Sequence, residues 1–456
     1  MIADSPLQAL FGSCGTAELV TPALRLSATA MHHGANDWVR ALRRAGVTRG
    51  DRIVCALPNG AAFAQLVMAT LAEGITLAPM PDGSDVASLL DSLDARLGVA
   101  SQSDHANVAV PSRTGGPPAV SMMPRATSIR TEHIAFLLQT SGTTGTPRWV
   151  GLSDSGVLSV LESHLPHLDV DGTNVLCVLP WHHAFGLVLG LLPAVLRGRR
   201  IVVSNEAARD TTLLIATARE QAVTHLSMVP LTAARLCAAD GGRDVLHALR
   251  GGLIGGAPID AALAPLLTST RLRVGYGQTE ASPGIMLGGQ GEFSAAFLGR
   301  PIGCDVRIDD DNVLAFRGRN VCAGFWEQQT LRLLPSDRWQ RTDDIVMRIG
   351  DAFAFVGRAT LAFKLANGTL VNVPVIERAL RQHVPALRDV VLSSSADSGI
   401  EIRFSSIDGD SILGEEFAGV LGGLRSWVRG VYQVRHDEWK RSPKGEIDRR
   451  RLPARD

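Results

Sequence analysis

Hydrophobic positions along the first eighty residues alternate between the spacing of helices and the continuous runs of buried strands. The pattern predicts, in order, a helix over 28–46, a strand over 51–57, a helix over 61–73 and a strand over 75–78. Gly46 and Gly74 follow the two helices, where a residue that adopts positive φ ends a helix easily. Because parallel strands need a crossover connection, this order predicts a parallel sheet.

The alternation resumes after residue 153 and continues for about ninety residues. The predicted elements are helices over 154–167, 187–197, 211–221 and 231–239, with strands over 174–179, 200–203 and 224–227. Residues 100–130 are rich in Ser, Pro and Gly and predict a loop or an edge strand. From about residue 298 short strands with frequent turns predict a smaller β-rich subdomain, and a last segment follows Gly357-Arg358.

Composition limits the functional classes. A chain of 456 residues predicts two or three domains. With 45 basic and 45 acidic residues, its net charge gives no reason to expect nucleic acid or an anionic membrane as a partner. The six cysteines form no C-x-x-C pair, the N-terminus lacks signal-peptide features, and the most apolar stretch, 187–196, is too short to span a bilayer. We therefore expect a cytoplasmic protein with reduced cysteines and no membrane span.

The richest chemistry lies in residues 138–148, where an apolar run ends in a segment dominated by Gly, Ser and Thr. Such a loop offers backbone N–H and hydroxyl donors at one point, which suits a phosphate. It is not the P-loop of NTPases, because it contains no G-x-x-x-x-G-K-[ST]. Taken alone, the segment is equally compatible with a flexible surface loop.

Several collinear motifs give the chain its resemblance to a family. Residues 140–148 resemble the T-S-G-T-T-G-x-P-K motif of the adenylate-forming superfamily, which includes acyl- and aryl-CoA ligases, luciferases and nonribosomal peptide synthetase adenylation domains. The other matching segments, in the family's order, are Pro180 to Gly186, Gly275 to Glu280, Gly324-Phe325-Trp326, Arg341 to Asp344, Gly357-Arg358, Lys364 with Asn367-Gly368 and Glu377, and Pro443 to Arg449. The resemblance covers about residues 28–450. It implies an α/β fold with a large N-terminal domain over 1–356, built of α/β subdomains and a β-rich subdomain, and a small, mobile α+β C-terminal domain over 357–456.

The resemblance implies an enzyme that activates a carboxylic acid with ATP and transfers it to a thiol. The acid would attack the α-phosphate to give an acyl-adenylate, and CoA or the phosphopantetheine of an acyl or aryl carrier protein would displace AMP. The implied ligands of the β- and γ-phosphates are Thr140, Ser141, Gly142, Thr143, Thr144 and Gly145. Arg148 stands where the family has lysine; it keeps the charge but replaces a point donor by a planar fork.

The remaining site residues also follow from the resemblance. Glu280, beside Thr279, would help to hold Mg²⁺, a hard ion that prefers oxygen ligands. Asp344 would accept hydrogen bonds from the ribose hydroxyls, and Arg358 would contact the ribose or a phosphate, unless it is a surface cation of the hinge. The residues implied beside the adenine are Gly255, Gly256, Ala257, Tyr276 and Gly277.

His183 matches the family position that gates the acyl pocket or supports the carboxylate. A metal site at His182-His183 is disfavoured, because adjacent residues converge poorly and no further ligands lie at useful spacing. The acyl pocket would be lined from Trp181, Phe185, Met228, Val229 and 252–256. These small segments favour a modest aryl or short acyl acid, although the same residues would suit any apolar core.

Besides Arg148, the sequence departs from the family at three positions. Glu446 occupies the place of the terminal lysine that reaches the α-phosphate, so that Lys444 or Lys440 would have to replace it. A unit charge about 4 Å from another contributes about 4 kcal/mol at an effective dielectric of about 20, so the change of sign is large. Leu361 replaces a charged hinge residue, and Asp343 replaces a glycine. Two further hypotheses therefore stand beside the ligase: a degenerate member that binds nucleotide or acyl-adenylate without efficient adenylation, and an enzyme that performs only the thiolation half-reaction.

Overall fold

The computed structural model describes residues 6–13, 17–101, 134–140, 148–335, 337–367, 369–395, 397, 399–407, 414–440, 447, 449 and 451–453. Its contacts separate two units. The first comprises Met1–Arg307, Ala315–Arg341 and Arg348–Ala354, and the second comprises Ile308–Leu314, Thr342–Met347 and Phe355–Asp456. The sequence-based domain boundary at residue 357 and the mobility of the C-terminal domain stay predictions.

The described helices vary from three to seventeen residues in length. Those of the first unit are α1 (Pro6–Ser13), α2 (Ala28–Arg44), α3 (Ala61–Glu73), α4 (Val86–Ser92), α5 (Asp154–Leu168), α6 (Ala184–Gly186), α7 (Leu192–Arg197), α8 (Thr211–Glu220), α9 (Pro230–Ala238), α10 (Gly242–Ala248) and α11 (Ala264–Leu267). Those of the second unit are α12 (Val373–His383) and α13 (Gly414–Leu421). A π-helix spans Leu187–Leu191, and 3₁₀ turns span Thr279–Ala281, Ala359–Leu361, Gly422–Trp427 and His436–Glu438.

The described strands belong to five sheets. In chain order they are β1 (Glu18–Thr21), β2 (Leu24–Leu26), β3 (Arg52–Ala56), β4 (Thr76–Pro79), β5 (Leu97–Ala100), β6 (Ile134–Thr140), β7 (Arg148–Ser153), β8 (Asn174–Cys177), β9 (Arg200–Val203), β10 (His225–Ser227), β11 (Leu253–Gly255), β12 (Arg273–Tyr276), β13 (Met286–Leu287), β14 (Phe297–Pro301), β15 (Asp305–Ile308), β16 (Val313–Arg317), β17 (Gly324–Glu327), β18 (Thr330–Leu333), β19 (Gln340–Ile349), β20 (Ala352–Arg358), β21 (Ala362–Lys364), β22 (Leu370–Asn372), β23 (Leu387–Ser394), β24 (Ile400–Ser406) and β25 (Val428–Gln433).

Two sheets of the first unit carry the predicted parallel strands. One has the order β10-β8-β9-β1-β2, and the other has the order β18-β17-β7-β6-β4-β3-β5. In the second of these, β3, β4, β5 and β6 are parallel, whereas β7 runs antiparallel to both β6 and β17. A third group of strands runs β11-β12-β13-β14, followed by residues 352–354 of β20. The predicted α/β fold class is confirmed.

The hydrophobic pattern located most elements to within a few residues, and α3 has the predicted limits. The predicted helix over 187–197 differs, because its first turn is the π-helix Leu187–Leu191, closed by a bond from the N–H of Leu192 to the carbonyl of Leu187. Pro193 lacks an N–H and cannot close an α-helical bond in the next turn. Most of the predicted loop or edge strand at 100–130 lies outside the described residues.

Buried apolar side chains and one buried cation hold the first unit together. Trp38, Phe63, Phe136 and Trp181 belong to one core between its helices and the two parallel sheets, and each is at most 1% exposed. Arg52 is fully buried on β3, where its Nε donates to the Leu93 carbonyl at 2.8 Å and its Nη2 pairs with Asp94 at 2.7 Å. The hydrogen bond and the ion pair compensate for the free energy that it costs to bury the Arg52 charge.

The second unit has its own core. Helix α12 packs on β23 of the sheet β23-β24-β25, and Val371, Leu380, Ile402 and Phe417 are buried between them. Glu377 on α12 accepts a hydrogen bond from the N–H of Leu392 at 2.7 Å and binds both terminal nitrogens of Arg449 at 2.6 and 3.0 Å. This two-point ion pair holds Arg449, near the end of the chain, against α12.

Buried His164 should make folding stability depend on pH. Burial lowers the pKa of this α5 side chain from 6.5 to about 4, so the folded protein keeps it neutral where the unfolded chain protonates it. The contribution of neutral His164 to the free energy of unfolding is complete above about pH 6.5 and is lost as the pH falls towards 4. Between about pH 7 and about pH 5, the free energy of unfolding of the wild type should fall by about 2 kcal/mol more than that of His164→Gln. Denaturant titrations at the two pH values measure both changes.

The matched control is His167→Gln, since His167 lies one turn further along α5 with an exposed side chain. That variant should follow the pH dependence of the wild type. If the free energy of unfolding of His164→Gln changed with pH as much as that of the wild type, His164 would not contribute in this way.

Candidate active site

Paired strand ends flank the predicted phosphate loop. Thr140 ends β6 and Arg148 begins β7, and the two residues pair directly in the antiparallel ladder. The Thr140 hydroxyl donates to the Arg148 carbonyl at 3.4 Å. The loop residues that the resemblance implicates lie outside the described residues: Ser141, Gly142, Thr143, Thr144 and Gly145. The described geometry therefore fixes where the loop leaves and re-enters the sheet.

Arg148 stacks on an aromatic ring of the neighbouring strand. Its guanidinium carbon lies 3.9 Å from the centre of the Phe325 ring, and the guanidinium of Arg332 lies 5.9 Å from the same ring. Phe325 is 4% exposed and pairs across the sheet with Val150, two residues beyond Arg148. A stacked guanidinium is held in place by the ring, and its N–H groups point outward in its own plane. Phosphate oxygens could accept hydrogen bonds from these N–H groups.

Close backbone packing shapes the loop that carries Glu280. A Cβ at Gly277 would lie 1.6 Å from the carbonyl oxygen of Pro283, and one at Gly284 would lie 2.3 Å from the ring of His164. Asn320 donates from Nδ2 to the Gly284 carbonyl at 2.7 Å. These contacts fold the chain back on itself and place Thr279 and Glu280, both half-buried, on a 3₁₀ turn at its tip.

Cys322 reports that Glu280 and Arg148 share a neighbourhood. Its N–H donates to the Glu280 carbonyl at 2.8 Å. Burial and, to a lesser extent, the Glu280 charge raise the pKa of the Cys322 thiol to about 12, although Arg338 and Arg148 act in the opposite direction. The N–H of the next residue, Ala323, donates to the Gly151 carbonyl of β7 at 2.8 Å, so the Glu280 loop is joined through Cys322 to the strand that Arg148 begins.

Glu280 has the chemistry to join a magnesium site completed by phosphate oxygens and water. Among the described residues, no group of three or more His, Cys, Asp or Glu side chains is arranged to hold a metal by itself. Mg²⁺ in general keeps several waters and is commonly shared with substrate phosphates rather than enclosed by protein ligands.

Two parallel strand ends form the face predicted to contact adenine. Gly255 ends β11 and pairs with Gly275 of β12, and a Cβ on Gly255 would lie 2.4 Å from the Gly275 carbonyl oxygen. Gly256 has a φ of 82°, a conformation suited to glycine, and is exposed together with Ala257. The half-buried Tyr276 follows on β12. The structure thus brings these predicted residues together.

Asn59, which lies outside the motifs of the sequence, positions the His183 segment. Asn59 donates from Nδ2 to the Leu179 carbonyl at 2.8 Å, and its Oδ1 accepts from the N–H of Trp181 at 2.9 Å. His183 is exposed, and its ring centre lies 4.4 Å from that of His182. Burial, with a smaller contribution from His183, lowers the pKa of His182 to about 4, so His182 is neutral at neutral pH.

A cavity of about 20 Å³ lies behind this segment in the first unit. It is lined by residues of β8, β10 and the π-helix, together with Trp181, Gly186 and Gly252. The predicted pocket residues Trp181 and Gly252 therefore line a common space.

The second unit contains the predicted ribose-binding pair. Asp344 is 6% exposed, and its carboxylate pairs with Nε of Arg358 at 3.0 Å. The hydroxyl of Thr342 accepts from the N–H of Asp344 at 3.1 Å and donates to the Leu314 carbonyl at 2.9 Å. Asp343 is exposed and its φ is not positive, so the glycine that it replaces is not required by the backbone here. Lys444 and Glu446 lie outside the described residues.

Comparisons with known proteins identify the family of the chain. A family model described as AMP-binding enzyme matches residues 13–326. Feruloyl-CoA synthase of an Amycolatopsis species is 26% identical over 453 residues, covering 89% of this chain and 90% of that protein. A linear gramicidin synthase protein of Brevibacillus parabrevis is 26% identical over 360 residues, covering 72% of this chain and 4% of that protein.

The fold is also found in solved structures. ATP-bound MatB from Rhodopseudomonas palustris superposes with a TM-score of 0.80 at 18% identity, covering 98% of each chain. Fold and site together define an enzyme of nucleotide-dependent acid activation. The chain belongs to the family of AMP-binding enzymes, within the adenylate-forming superfamily. The predicted enzyme class, an AMP-forming acid–thiol ligase, is confirmed by the family and by the ligases among the relatives.

One further prediction concerns the membrane. In the part of the chain that the structure describes, no helix is both long and apolar enough to cross a bilayer.

Filling the space at Gly277 should disable the Glu280 loop. Gly277→Ala would place a methyl group 1.6 Å from a backbone oxygen, so the loop must move, at a cost of about 1–3 kcal/mol or more. We expect AMP to raise the melting temperature of the wild type but not of this variant. In Gly275→Ala the nearest heavy atoms lie 3.7 Å away, so that control should keep the AMP response. An unchanged response in Gly277→Ala would contradict the assigned role of the loop.

Removing the ring under Arg148 should weaken ATP binding selectively. Phe325→Leu keeps an apolar side chain but removes the cation–π contact, which contributes about 0.5–1 kcal/mol at exposed sites. The KM for ATP should rise about threefold, while the KM for the acid stays unchanged. Phe325→Tyr, which retains a ring, should restore the wild-type value. Equal rises in both KM values would indicate a general structural defect.

Proposed function

We propose that this chain activates a small aryl or short acyl carboxylic acid with ATP and transfers the acyl group to a thiol of CoA or of a carrier-protein phosphopantetheine. The observation that carries the proposal is the convergence in one unit of the hairpin ends at Thr140 and Arg148 with the Glu280 loop. A cation, hydroxyl and backbone donors beside a carboxylate are the groups that a magnesium-bound polyphosphate requires.

In the first half-reaction, a carboxylate oxygen of the acid forms a bond to the α-phosphorus of ATP. The bond from that phosphorus to the bridging oxygen breaks, and pyrophosphate leaves with the electron pair. Arg148 would hold the outer phosphates, and Glu280 would hold Mg²⁺, which when bound neutralises their charge. His183 would lie beside the acid, with its backbone fixed through the Asn59 contacts of the preceding residues.

In the second half-reaction, the thiolate sulfur bonds to the acyl carbon and the bond to the AMP oxygen breaks. Asp344 would accept hydrogen bonds from the ribose hydroxyls throughout, and its pairing with Arg358 orients the carboxylate within the second unit. The feruloyl-CoA synthase relative supports CoA as the acceptor, and the gramicidin synthase relative supports a carrier protein.

A second candidate function rests on Glu446, which occupies the position of the family's terminal lysine. In this alternative, the chain binds nucleotide or acyl-adenylate but is impaired in adenylation, because a negative charge replaces the cation that would approach the α-phosphate. The thiolation-only enzyme is the limiting form of this alternative.

ATP–pyrophosphate exchange over a panel of aryl and short acyl acids separates these functions. We expect acid-dependent exchange by the wild type, a fall of about tenfold or more in Lys444→Ala, and a smaller change in Glu446→Lys, because Lys444 supplies the cation. Exchange that appears only in Glu446→Lys would favour the second candidate. Background exchange in all variants, together with thioester formation from synthetic acyl-AMP, would leave only the thiolation half-reaction.

A further inference from the structure

The hairpin formed by β17 and β18 lies at one edge of the seven-stranded sheet. Its strands are joined by Gln328 and Gln329, whose φ values of 49° and 60° make a tight two-residue turn. Trp326 donates from Nε1 to the carbonyl of Ser92, the last residue of α4, at 2.9 Å. Because β17 also pairs with β7, the hairpin is fixed beside the strand that Arg148 begins.

Arg332 of β18 shares an aromatic ring with Arg148. Phe325 pairs with Val150 of β7 on one side and with Arg332 on the other, so these side chains lie on one face of the sheet. The guanidinium carbons of Arg148 and Arg332 lie 3.9 and 5.9 Å from the centre of the Phe325 ring, so they are at most about 10 Å apart. Two cations therefore lie together at the strand end that leads into the phosphate loop.

Glu327 is the ion-pair partner of Arg332, and this contact is easily exchanged. The Glu327 carboxylate accepts from Nε of Arg332 at 3.1 Å, and the two side chains are 47% and 56% exposed. An exposed ion pair of this kind contributes little to stability, because water and salt screen it. A phosphate carries more negative charge and more acceptor oxygens than a carboxylate, so it competes well for the guanidinium.

The charges around the ring favour an anion with more than one phosphate. Arg148 and Arg332 are positive and Glu327 is negative, so the three side chains together carry one net positive charge. A polyphosphate between the two guanidinium groups would relieve their mutual repulsion. Each guanidinium can then bind a separate phosphate of the chain. AMP lacks the outer phosphates, so the pair should distinguish ATP and pyrophosphate from AMP.

We propose that Arg332 is a second phosphate-binding residue, which exchanges Glu327 for the pyrophosphate part of ATP. This inference rests on the proposed function and deepens it, because it gives the edge hairpin a role in binding the leaving group. No covalent bond to Arg332 forms or breaks. Its guanidinium donates hydrogen bonds to phosphate oxygens, whose negative charge increases as the bond to the α-phosphorus breaks.

Binding of three ligands tests the proposal. Calorimetry compares ATP with Mg²⁺, pyrophosphate with Mg²⁺, and AMP, each with the wild type and with Arg332→Gln. The variant should raise Kd for ATP and for pyrophosphate about tenfold and leave Kd for AMP unchanged, because only the first two ligands contain the phosphates that Arg332 binds. A general structural defect would raise Kd for AMP as well.

Glu327 provides a change of the opposite sign. Glu327→Gln should lower Kd for ATP about twofold to threefold, since Arg332 loses its competing partner. The gain should disappear in the double variant Glu327→Gln/Arg332→Gln, which separates the release of Arg332 from the loss of a negative charge near the phosphates. If Glu327→Gln weakened ATP binding as Arg332→Gln does, the ion pair would only stabilise the hairpin, and the inference would be wrong.

The matched control is Arg317→Gln. Arg317 makes the same two kinds of contact in a different sheet. Its guanidinium carbon lies 4.8 Å from the centre of the Trp339 ring, and its Nη2 pairs with Asp305 at 3.0 Å. This variant should bind all three ligands as the wild type does.

The inference and the proposed function fail in different ways. If no acid supports ATP–pyrophosphate exchange while ATP and pyrophosphate still bind, the proposed function fails and the Arg332 variants decide the inference alone. Equal Kd values of the wild type and Arg332→Gln for ATP and pyrophosphate, or an equal rise for AMP, would overturn the inference without touching the proposed function. A wild type that binds neither ATP nor pyrophosphate would overturn both.

Discussion

The Glu280 loop depends on the absence of side chains where its backbone closes on itself. The carbonyl of Pro283 occupies the space of a side chain at Gly277, and the ring of His164 occupies the space of one at Gly284. A carboxylate that is proposed to share a metal ion with a polyphosphate benefits from being held in place before the nucleotide arrives. Helix α5 supplies that support through His164, and Asn320 supplies it through the Gly284 carbonyl. The geometry of the Glu280 loop is therefore built from glycine and from buried neighbours of ordinary composition.

Charge in the described part of the first-unit site is arranged sparingly. Arg148 is stacked and exposed, Glu280 is half-buried, and His182 stays neutral because burial, with a smaller contribution from His183, lowers its pKa to about 4. The residues that line the cavity behind the His183 segment include no Lys, Arg, Asp or Glu.

The sequence predicted the structural features that depend on residues close together in the chain. The limits of α3 and the parallel pairing of β3 with β4 follow from apolar spacing and a terminating glycine, and the motifs identified Arg148, Glu280 and Asp344 as candidates. The pairing of β7 with β17 joins residues about 170 positions apart, so neither spacing nor propensity could show that Phe325 lies under Arg148. Asn59 looks like a turn residue in the sequence, because the Leu179 carbonyl and the Trp181 N–H that it contacts lie 120 and 122 residues further along the chain.

The π-helix Leu187–Leu191 gives this site a degree of freedom in chain length. A π-turn holds one residue more than an α-turn over a similar rise, so it acts as a single-residue insertion whose effect is confined to its own turn. Helix α7 beyond it keeps its angular phase towards the core, where Leu192 and Ala194 are fully buried. The segment that follows His183 can therefore gain or lose one residue within this turn while α7 keeps its packing against the core.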